Sequence, residues 1–341
     1  MNIQTVTFQD FSFINVISPG KLELKYLKNN YGFDTLHLDD YINKIQTPKV
    51  ETFKNYSLIV LDFPYFSANG AQPVLKTDEK TNKPFLENLL EIPKSTLPQF
   101  PSSEKRRRIL STQVDFFLGK NYLVVLHEGF LTPINDIFTN CQKTMQNRRE
   151  YLSDGPVFLA YRIIDSLVDS CFPVVNEISS SIDKIDRELE NVHYKKTIEN
   201  ISITRRNIVF FSTMIKPIIP LFRQLEEGKH KELNGSMEPF WGNVLDHLQK
   251  IWERLEDSRE LIEGISLSNE SILSFKNNEI VRFLTVITSI SFPFVIVNNL
   301  YSMNIAGLPY SQHPWIVWVL FGIIFTAGVG IIVYFKARDW I

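Results

Sequence analysis

Polar side chains interrupt an otherwise apolar run near the C-terminus: Thr285, Thr288, Ser289, Ser291, Asn298 and Asn299. Unpaired amides are costly in hydrocarbon, so two adjacent asparagines need partners. Hydrogen bonds to a neighbouring helix would supply them, at about 1 kcal/mol or less per contact. A water-lined path at the axis of an oligomer would supply them too. The run ends in Tyr301-Ser302-Met303-Asn304, which adds a further amide. Catalytic constellations are absent from the sequence. His127, His193, His230 and His247 fall at no ligand spacing, and no Ser/His/Asp set, P-loop or zinc-ligand pattern is found. Cys141 and Cys171 follow no metal or redox spacing and read as small core residues in a reduced compartment. Lys105-Arg106-Arg107-Arg108 either binds phosphate or lipid headgroups or is a solvated flank.

The elements that position these residues begin with two apolar runs, about 281–300 and 314–335, each with the roughly 20 residues that a bilayer-spanning helix needs. Cations flank only their outer sides, with Lys276 and Arg282 before the first and Lys336 and Arg338 after the second. The positive-inside rule then predicts that both ends of the hairpin face the cytoplasm. Gly322, Ala327, Gly328 and Gly330 suit close packing in the second run, while Trp315, Trp318 and Tyr334 suit its two interfaces. The mean hydropathy of −0.07 conceals this hairpin behind some 280 mixed residues, enough for one or two domains with a core. No signal peptide is visible at the N-terminus, so insertion is expected to rely on the hairpin. A net charge of −2 argues against nucleic acid as a partner.

Residues 1–155 read as a mixed α/β domain. Stretches 56–62 and 114–126 are rich in β-branched and aromatic residues, and Gly119-Lys120-Asn121 marks a hairpin within the second. Segments between Pro64 and Pro101 carry Pro, Ser and Asn and read as loops or irregular edge strands. Residues 156–239 read as a helical hairpin. Phe158, Tyr161, Ile164, Leu167, Val168, Cys171 and Val175 recur at helical steps, with a kink expected at Pro173, and the pattern resumes through Ile178, Ile182, Ile185 and Leu189. A second helix, about 198–225, carries Pro217 and Pro220 and is expected to bend. From Phe240 to Phe292 there is no proline, so one helix could reach roughly 80 Å. Its stripe of Trp241, Leu245, Leu248, Trp252, Leu255, Ile262, Leu273, Ile280 and Phe283 predicts a coiled-coil-like stalk. Arg259, Ser266, Asn269 and Lys276 interrupt the stripe, which runs unbroken into the first apolar run.

Tyr301-Ser302-Met303-Asn304 followed by Leu308-Pro309 resembles the Tyr-Gly-Met-Asn loop of the CorA-type divalent-metal transporters, the two-transmembrane Gly-x-Asn family. Phe117-Leu-Gly-Lys-Asn-Tyr-Leu-Val-Val-Leu-His127 is similar to the hairpin of that family's α/β domain. Asp165 through Phe172-Pro173 to Ile182-Asp183-x-x-Asp186 resembles its first long helix. Leu284-Thr285 through Phe292-Pro293, and Tyr334-Phe-Lys-Ala-Arg-Asp-Trp340, resemble its membrane helices. The resemblance runs from residue 55 onward.

It implies an α+β cytoplasmic domain (1–155) followed by long stalk helices and a two-helix transmembrane hairpin, assembled as a homopentameric funnel. In the implied layout, 240–300 is the stalk helix running into the first span, 301–313 the extracytoplasmic loop, 314–335 the second span and 336–341 a basic cytoplasmic tail. The protein is then a multi-pass protein of the cell (inner or plasma) membrane whose partners are its own copies, lipid and divalent cations. It needs no resident cofactor; a divalent cation, Mg²⁺ first and Co²⁺ or Ni²⁺ after it, is cargo or regulator. Carried over position by position, Asn278, Val281, Leu284, Thr288, Phe292, Val295 and Asn299 line the pore. Tyr301, Ser302, Met303 and Asn304 form the selectivity loop, and Lys336 and Arg338 a basic collar. Mg²⁺ releases its water reluctantly, so five Asn304 amides would read the hydrated ion, and Leu284 and Phe292 would gate by dewetting. Three positions depart from the family pattern. Ser302 replaces the motif glycine, residues 301–313 contain no Asp or Glu, and the family's Asp-x-x-Asp-His reads Asn243-x-x-Asp246-His247. Asp246 and His247 remain as candidate regulatory ligands. Transport of zinc or another divalent ion, and a non-conducting regulatory or scaffold role, remain open beside Mg²⁺ influx driven by the membrane potential.

Overall fold

The computed structural model describes residues 2–43, 47–66, 108–189, 194–234, 236–303, 313 and 315–338. Lys105, Arg106 and Arg107, the irregular stretch from 67 to 101, and Asn304 through Leu308-Pro309 lie outside them. Met1–Glu263 form one compact unit and Gly264–Ile341 a second.

The first unit is built on a six-stranded sheet in the order β1-β2-β6-β5-β4-β3. Its strands are β1 (Ile3–Phe8), β2 (Phe11–Ile17), β3 (Lys49–Thr52), β4 (Ser57–Phe66), β5 (Ile109–Leu118) and β6 (Tyr122–His127). Every pair is antiparallel except β2 with β6. Gly119-Lys120-Asn121 makes the β5–β6 turn as expected, with the Gly119 N–H donating to the Tyr122 carbonyl at 2.9 Å. Pro64, expected in a loop or irregular edge strand, lies within β4 opposite Ser111. Because β3 pairs only with residues 57–60, no strand among the described residues flanks Pro64 on its other side, and its missing donor costs nothing there.

Both faces of the sheet are covered. Helices α1 (Lys21–Tyr31) and α2 (Thr35–Asn43) bury Leu24, Leu27, Leu38 and Tyr41 against Ile14, Val16, Leu58, Val60, Phe117, Val124 and Leu126. Over the other face lie α3 (Thr132–Lys143), α5 (Gly155–Asp169), α6 (Cys171–Glu188) and α7 (Tyr194–Glu226), with α4 (Met145–Leu152) alongside α3 and α5. Phe138 of α3 meets Phe13 edge-on, the ring centroids 5.2 Å apart. Two buried faces explain why β4 to β6 read as continuous apolar runs rather than as alternation.

Three polar groups lie inside this core. Gly129 N–H donates to His127 Nδ1, so Nε2 carries the proton and donates to Asn15 Oδ1 at 2.8 Å. Burial holds this imidazole neutral, with its pKa pushed down to about 4. On the α2 side, Asp115 is fully buried, and its Oδ1 accepts from Gln113 Nε2 at 2.7 Å. Asp115 Oδ2 and the Tyr41 hydroxyl have no partner among the described residues.

The expected kink at Pro173 is instead a break. Helix α5 ends at Asp169 and α6 begins at Cys171, which places Pro173 in the first turn of α6, where its missing N–H would be unsatisfied anyway. Helix α7 keeps both Pro217 and Pro220 within 33 continuous residues. It is also long and apolar enough to cross a membrane, which composition did not single out. Burial separates it from the other two candidates, since 39% of its apolar stretch is buried against 6% for each of them. Ile208, Phe211, Ile215, Ile218 and Phe222 face the protein core.

The short α8 (Lys231–Asn234) precedes the longest element, α9 (Glu238–Ser302). The buried Trp241 indole anchors its start, donating to the Leu233 carbonyl at 3.2 Å. Of the expected α9 stripe, Trp241, Leu245, Leu248, Leu255 and Ile262 are buried in the first unit and Trp252 is half-buried, with Val244 and Ile251 buried beside them. In the second unit its later members, Ile280 and Phe283, are exposed. Pro293 does not end the helix, which continues for nine residues beyond it. Helix α10 (Trp315–Ala337) completes the second unit.

Candidate functional site

Helix α9 carries all seven residues expected to line a path. At about 100° per residue, Asn278, Val281, Leu284, Thr288, Phe292, Val295 and Asn299 fall within roughly 120° of arc. All seven are exposed in the single chain. The residues that meet α10 lie on the opposite side. A Cβ at Gly328 would meet Ile290 Cγ2 at 3.2 Å, a tight contact that the glycine relieves. Phe294 stacks on Phe321 with ring centroids 5.7 Å apart, and Val286 is buried. Val286, Ile290 and Phe294 centre on a direction about 175° from the centre of the seven-residue face. Helix α10 therefore leaves that face free.

Three hydroxyls of this segment are satisfied by their own helix, as a water-poor surrounding favours. Thr285 donates to the Val281 carbonyl at 2.8 Å, and Ser289 to the Thr285 carbonyl at 2.7 Å. Thr288 points its proton back at the carbonyls of Leu284 and Thr285, at 2.8 and 3.0 Å. With its proton spent, the exposed Thr288 oxygen offers only lone pairs outward, which suits a cation or the waters around one.

The helix extends two residues into the segment expected to be loop. Ser302 accounts for this. It adopts ordinary helical backbone, and its hydroxyl donates to the Asn298 carbonyl at 2.7 Å. Met303 is exposed, and its N–H donates to the Asn299 carbonyl at 3.2 Å. Tyr301 lies in the last turn of α9, and Asn304 is beyond the described residues. At the far end of α10, Lys336 and Arg338 are exposed, with the Arg338 guanidinium 5.9 Å from the centre of the Tyr334 ring.

The candidate regulatory residues are placed differently. Asn243 donates from Nδ2 to Asp165 Oδ1 at 3.0 Å, across from α9 to α5. His247 Nδ1 sits 3.0 Å from Asp169 Oδ1, close but off the line of a hydrogen bond. Asp165 and Asp169 are four residues apart on one face of α5. Burial raises the Asp165 carboxyl above its ordinary value, the charge of Asp169 raises it further, and His247 and Asn243 oppose the shift. An amide at 243 thus supplies a donor where a third carboxylate would add repulsion. Asp246 is exposed and does not join His247, and no group of three or more His, Cys, Asp or Glu side chains among the described residues is arranged to hold a metal ion. The sequence signal for the α5 acids was their four-residue spacing on an amphipathic helix, which alone does not reveal what they face.

Residues 95–337 match the family described as CorA-like Mg²⁺ transporter protein. The cobalt/magnesium transport protein CorA of Thermotoga maritima is 25% identical over 312 residues, covering 91% of this chain and 78% of the relative. A putative metal ion transporter of Bacillus subtilis, YfjQ, is 20% identical over 328 residues, covering 96% of this chain and 89% of the relative. Among solved structures, the complete CorA magnesium transporter of Methanocaldococcus jannaschii superposes with a TM-score of 0.71 at 17% identity, covering 98% of this chain and 94% of that one. The likeness thus reaches well before residue 55, into β1, β2, α1 and α2.

Proposed function

The chain belongs to the CorA-like Mg²⁺ transporter family, and from that premise we propose that it conducts divalent cations, Mg²⁺ first and Co²⁺ or Ni²⁺ after it, through a pore lined by copies of α9. Its work is transport rather than catalysis. Five copies meet with the seven-residue face of α9 toward the axis and α10 toward lipid. The observation that carries this reading is the exposed mixed face of α9 lying opposite its contact with α10. Turning this face to a shared axis gives Asn278, Thr288 and Asn299 polar surroundings and leaves the exposed Trp315 and Trp318 at a lipid boundary.

Asn304 rings the outer mouth and accepts hydrogen bonds from the water shell of the ion, which Mg²⁺ surrenders reluctantly. Thr288 repeats that offer deeper in the path with its outward lone pairs. Leu284 and Phe292 narrow the path with apolar surface, where loss of water closes it. Met1–Glu263 and both chain ends lie on the cytoplasmic side, with Lys336 and Arg338 at the membrane edge. The membrane potential contributes about 2.3 kcal/mol per elementary charge per 100 mV, twice that for a divalent ion, and favours entry.

Complementation of a Mg²⁺-requiring strain, with Asn304→Ala as control, tests this reading. Rescue by the unaltered chain and its loss in the variant support the ring of amides. Absence of divalent flux from proteoliposomes holding intact pentamers would instead favour a regulatory or scaffold role.

A further inference from the structure

We propose that a cavity in the first unit, at the hairpin ends of the sheet, binds a small phosphate-bearing molecule. The cavity encloses about 340 Å³, toward the lower end of the range for small-molecule sites. Four pieces of chain meet around it: the β3–β4 turn, the β5–β6 turn, the first turn of α5, and α8. This assignment is independent of the transport reading.

Its polar lining is mostly donors. Lys54 comes from one turn and Lys120 from the other, and neither has an ion pair among the described residues. Lys49 and Lys229, by contrast, each hold a carboxylate, at 3.2 and 2.7 Å. Ser57 is only 4% exposed, yet its hydroxyl makes no hydrogen bond among the described residues. Its oxygen is not among the enclosed unpaired atoms of the described residues, so it stays open to solvent and to an incoming ligand oxygen.

The start of α5 adds to this. Pro156 has no N–H, and Asp154, the residue that precedes the helix, makes no capping bond with its side chain. The Val157 N–H at the cavity wall is thus left uncapped by Asp154, at the positive end of a 15-residue helix. Glu232 on α8 opposes this field, but two lysines and a helix terminus outweigh one exposed carboxylate.

Two lysines, an unpaired hydroxyl and the start of a helix around one space suit the several acceptor oxygens of a phosphate. The remaining wall is apolar, from Phe53, Leu118 and Leu233, and suits a compact organic body attached to that phosphate.

Isothermal titration of the full chain in detergent with inorganic phosphate, AMP and adenosine tests the assignment. AMP and phosphate are expected to bind, AMP more tightly, and adenosine not. Replacing both lysines (Lys54→Gln with Lys120→Gln) is expected to weaken AMP by at least about tenfold, the usual scale for charge-assisted hydrogen bonds. Ser57→Ala should weaken it a few-fold and Glu232→Gln should tighten it. Absence of binding at millimolar phosphate and AMP overturns the proposal. So does an affinity within twofold of the original in the double lysine variant. If that variant aggregates, Glu232→Gln decides: tighter AMP binding supports the site, and unchanged affinity refutes it.

Discussion

Asp115 in the middle of β5 makes the stability of the sheet depend on pH. The carboxyl is fully buried, and burial raises its pKa from 3.8 to about 7, with Asp62 adding to the shift and Gln113 opposing it. A raised pKa in the folded state means that folding binds a proton. The stability is therefore full below about pH 4, falls as pH rises toward 7, and is level above that. With the unfolded carboxyl at 3.8, Asp115 costs about 2 kcal/mol at pH 5 and about 4 kcal/mol at pH 8. His127, buried neutral, has the opposite slope, losing stability as pH falls from 6.5 to about 4, so the raw profile of the protein mixes the two. Asp115→Asn isolates the carboxyl, because the amide keeps the acceptor for Gln113 and does not titrate. Hydrogen exchange of the β5 and β6 amides in the full chain, compared with this variant at each pH, reads the difference. The advantage of the variant should grow by roughly two orders of magnitude in protection between pH 5 and pH 8. A ratio that stays constant across that interval would show that the carboxyl is charged throughout or neutral throughout, and the reasoning fails.

Other outcomes follow from single contacts. Gly119→Ala would drive a Cβ into the Tyr122 ring, which itself contacts Tyr31 and Phe33, so it should cost about 1–3 kcal/mol in chemical denaturation. Asn243→Asp removes the donor to Asp165 and adds a third carboxylate, so the melting temperature should fall at pH 8 and much less at pH 5, where Asp165 takes up protons more readily. Gly328→Leu blocks the approach of Ile290 and should abolish efficient disulfide cross-linking between cysteines placed at 294 and 321. Thr288→Val keeps the helix but removes the outward lone pairs, so divalent uptake should fall while assembly on size-exclusion is unchanged.

The hairpin at Gly119, the long helix and the two apolar spans were legible because each rests on a local signal: a turn residue, a period, a length. The N-terminal elements were less so. β1 and β2 are short, β2 is buried on both faces, and α1 and α2 take their places only by covering a sheet whose other strands lie up to a hundred residues away. Pro64 and Pro173 were visible as breakers, but their exact effect depends on a free strand edge and on a helix start, neither of which is encoded at the proline itself. Helix α7 shows the limit of composition most directly: its apolar length equals that of a membrane span, and only its burial against the sheet says otherwise. The α9 face was legible through the resemblance and the helical period. What the period does not give is the side that α10 occupies, and that side follows from one glycine at 328 meeting Ile290.

The proposed ring resolves two conflicts that a lone chain leaves standing. Between Phe275 and Leu284, α9 exposes Phe275, Ile280, Val281, Phe283 and Leu284, a run of large apolar side chains beside Asn278 and Lys276. In water this surface is unfavourable, and deeper along the helix Thr288 and Asn299 would be unfavourable against lipid tails. Burying all of α9 against lipid satisfies the first set and strands the second; leaving it in water does the reverse. Symmetric copies around an axis satisfy both, because the apolar flanks of one α9 close on the next while the amides and the Thr288 oxygen look into a shared wet lumen. The same geometry sets what the narrow points must do. In the proposed ring Leu284 and Phe292 would have no polar atom to offer an ion, so conduction past them would require a lumen wide enough to stay wet.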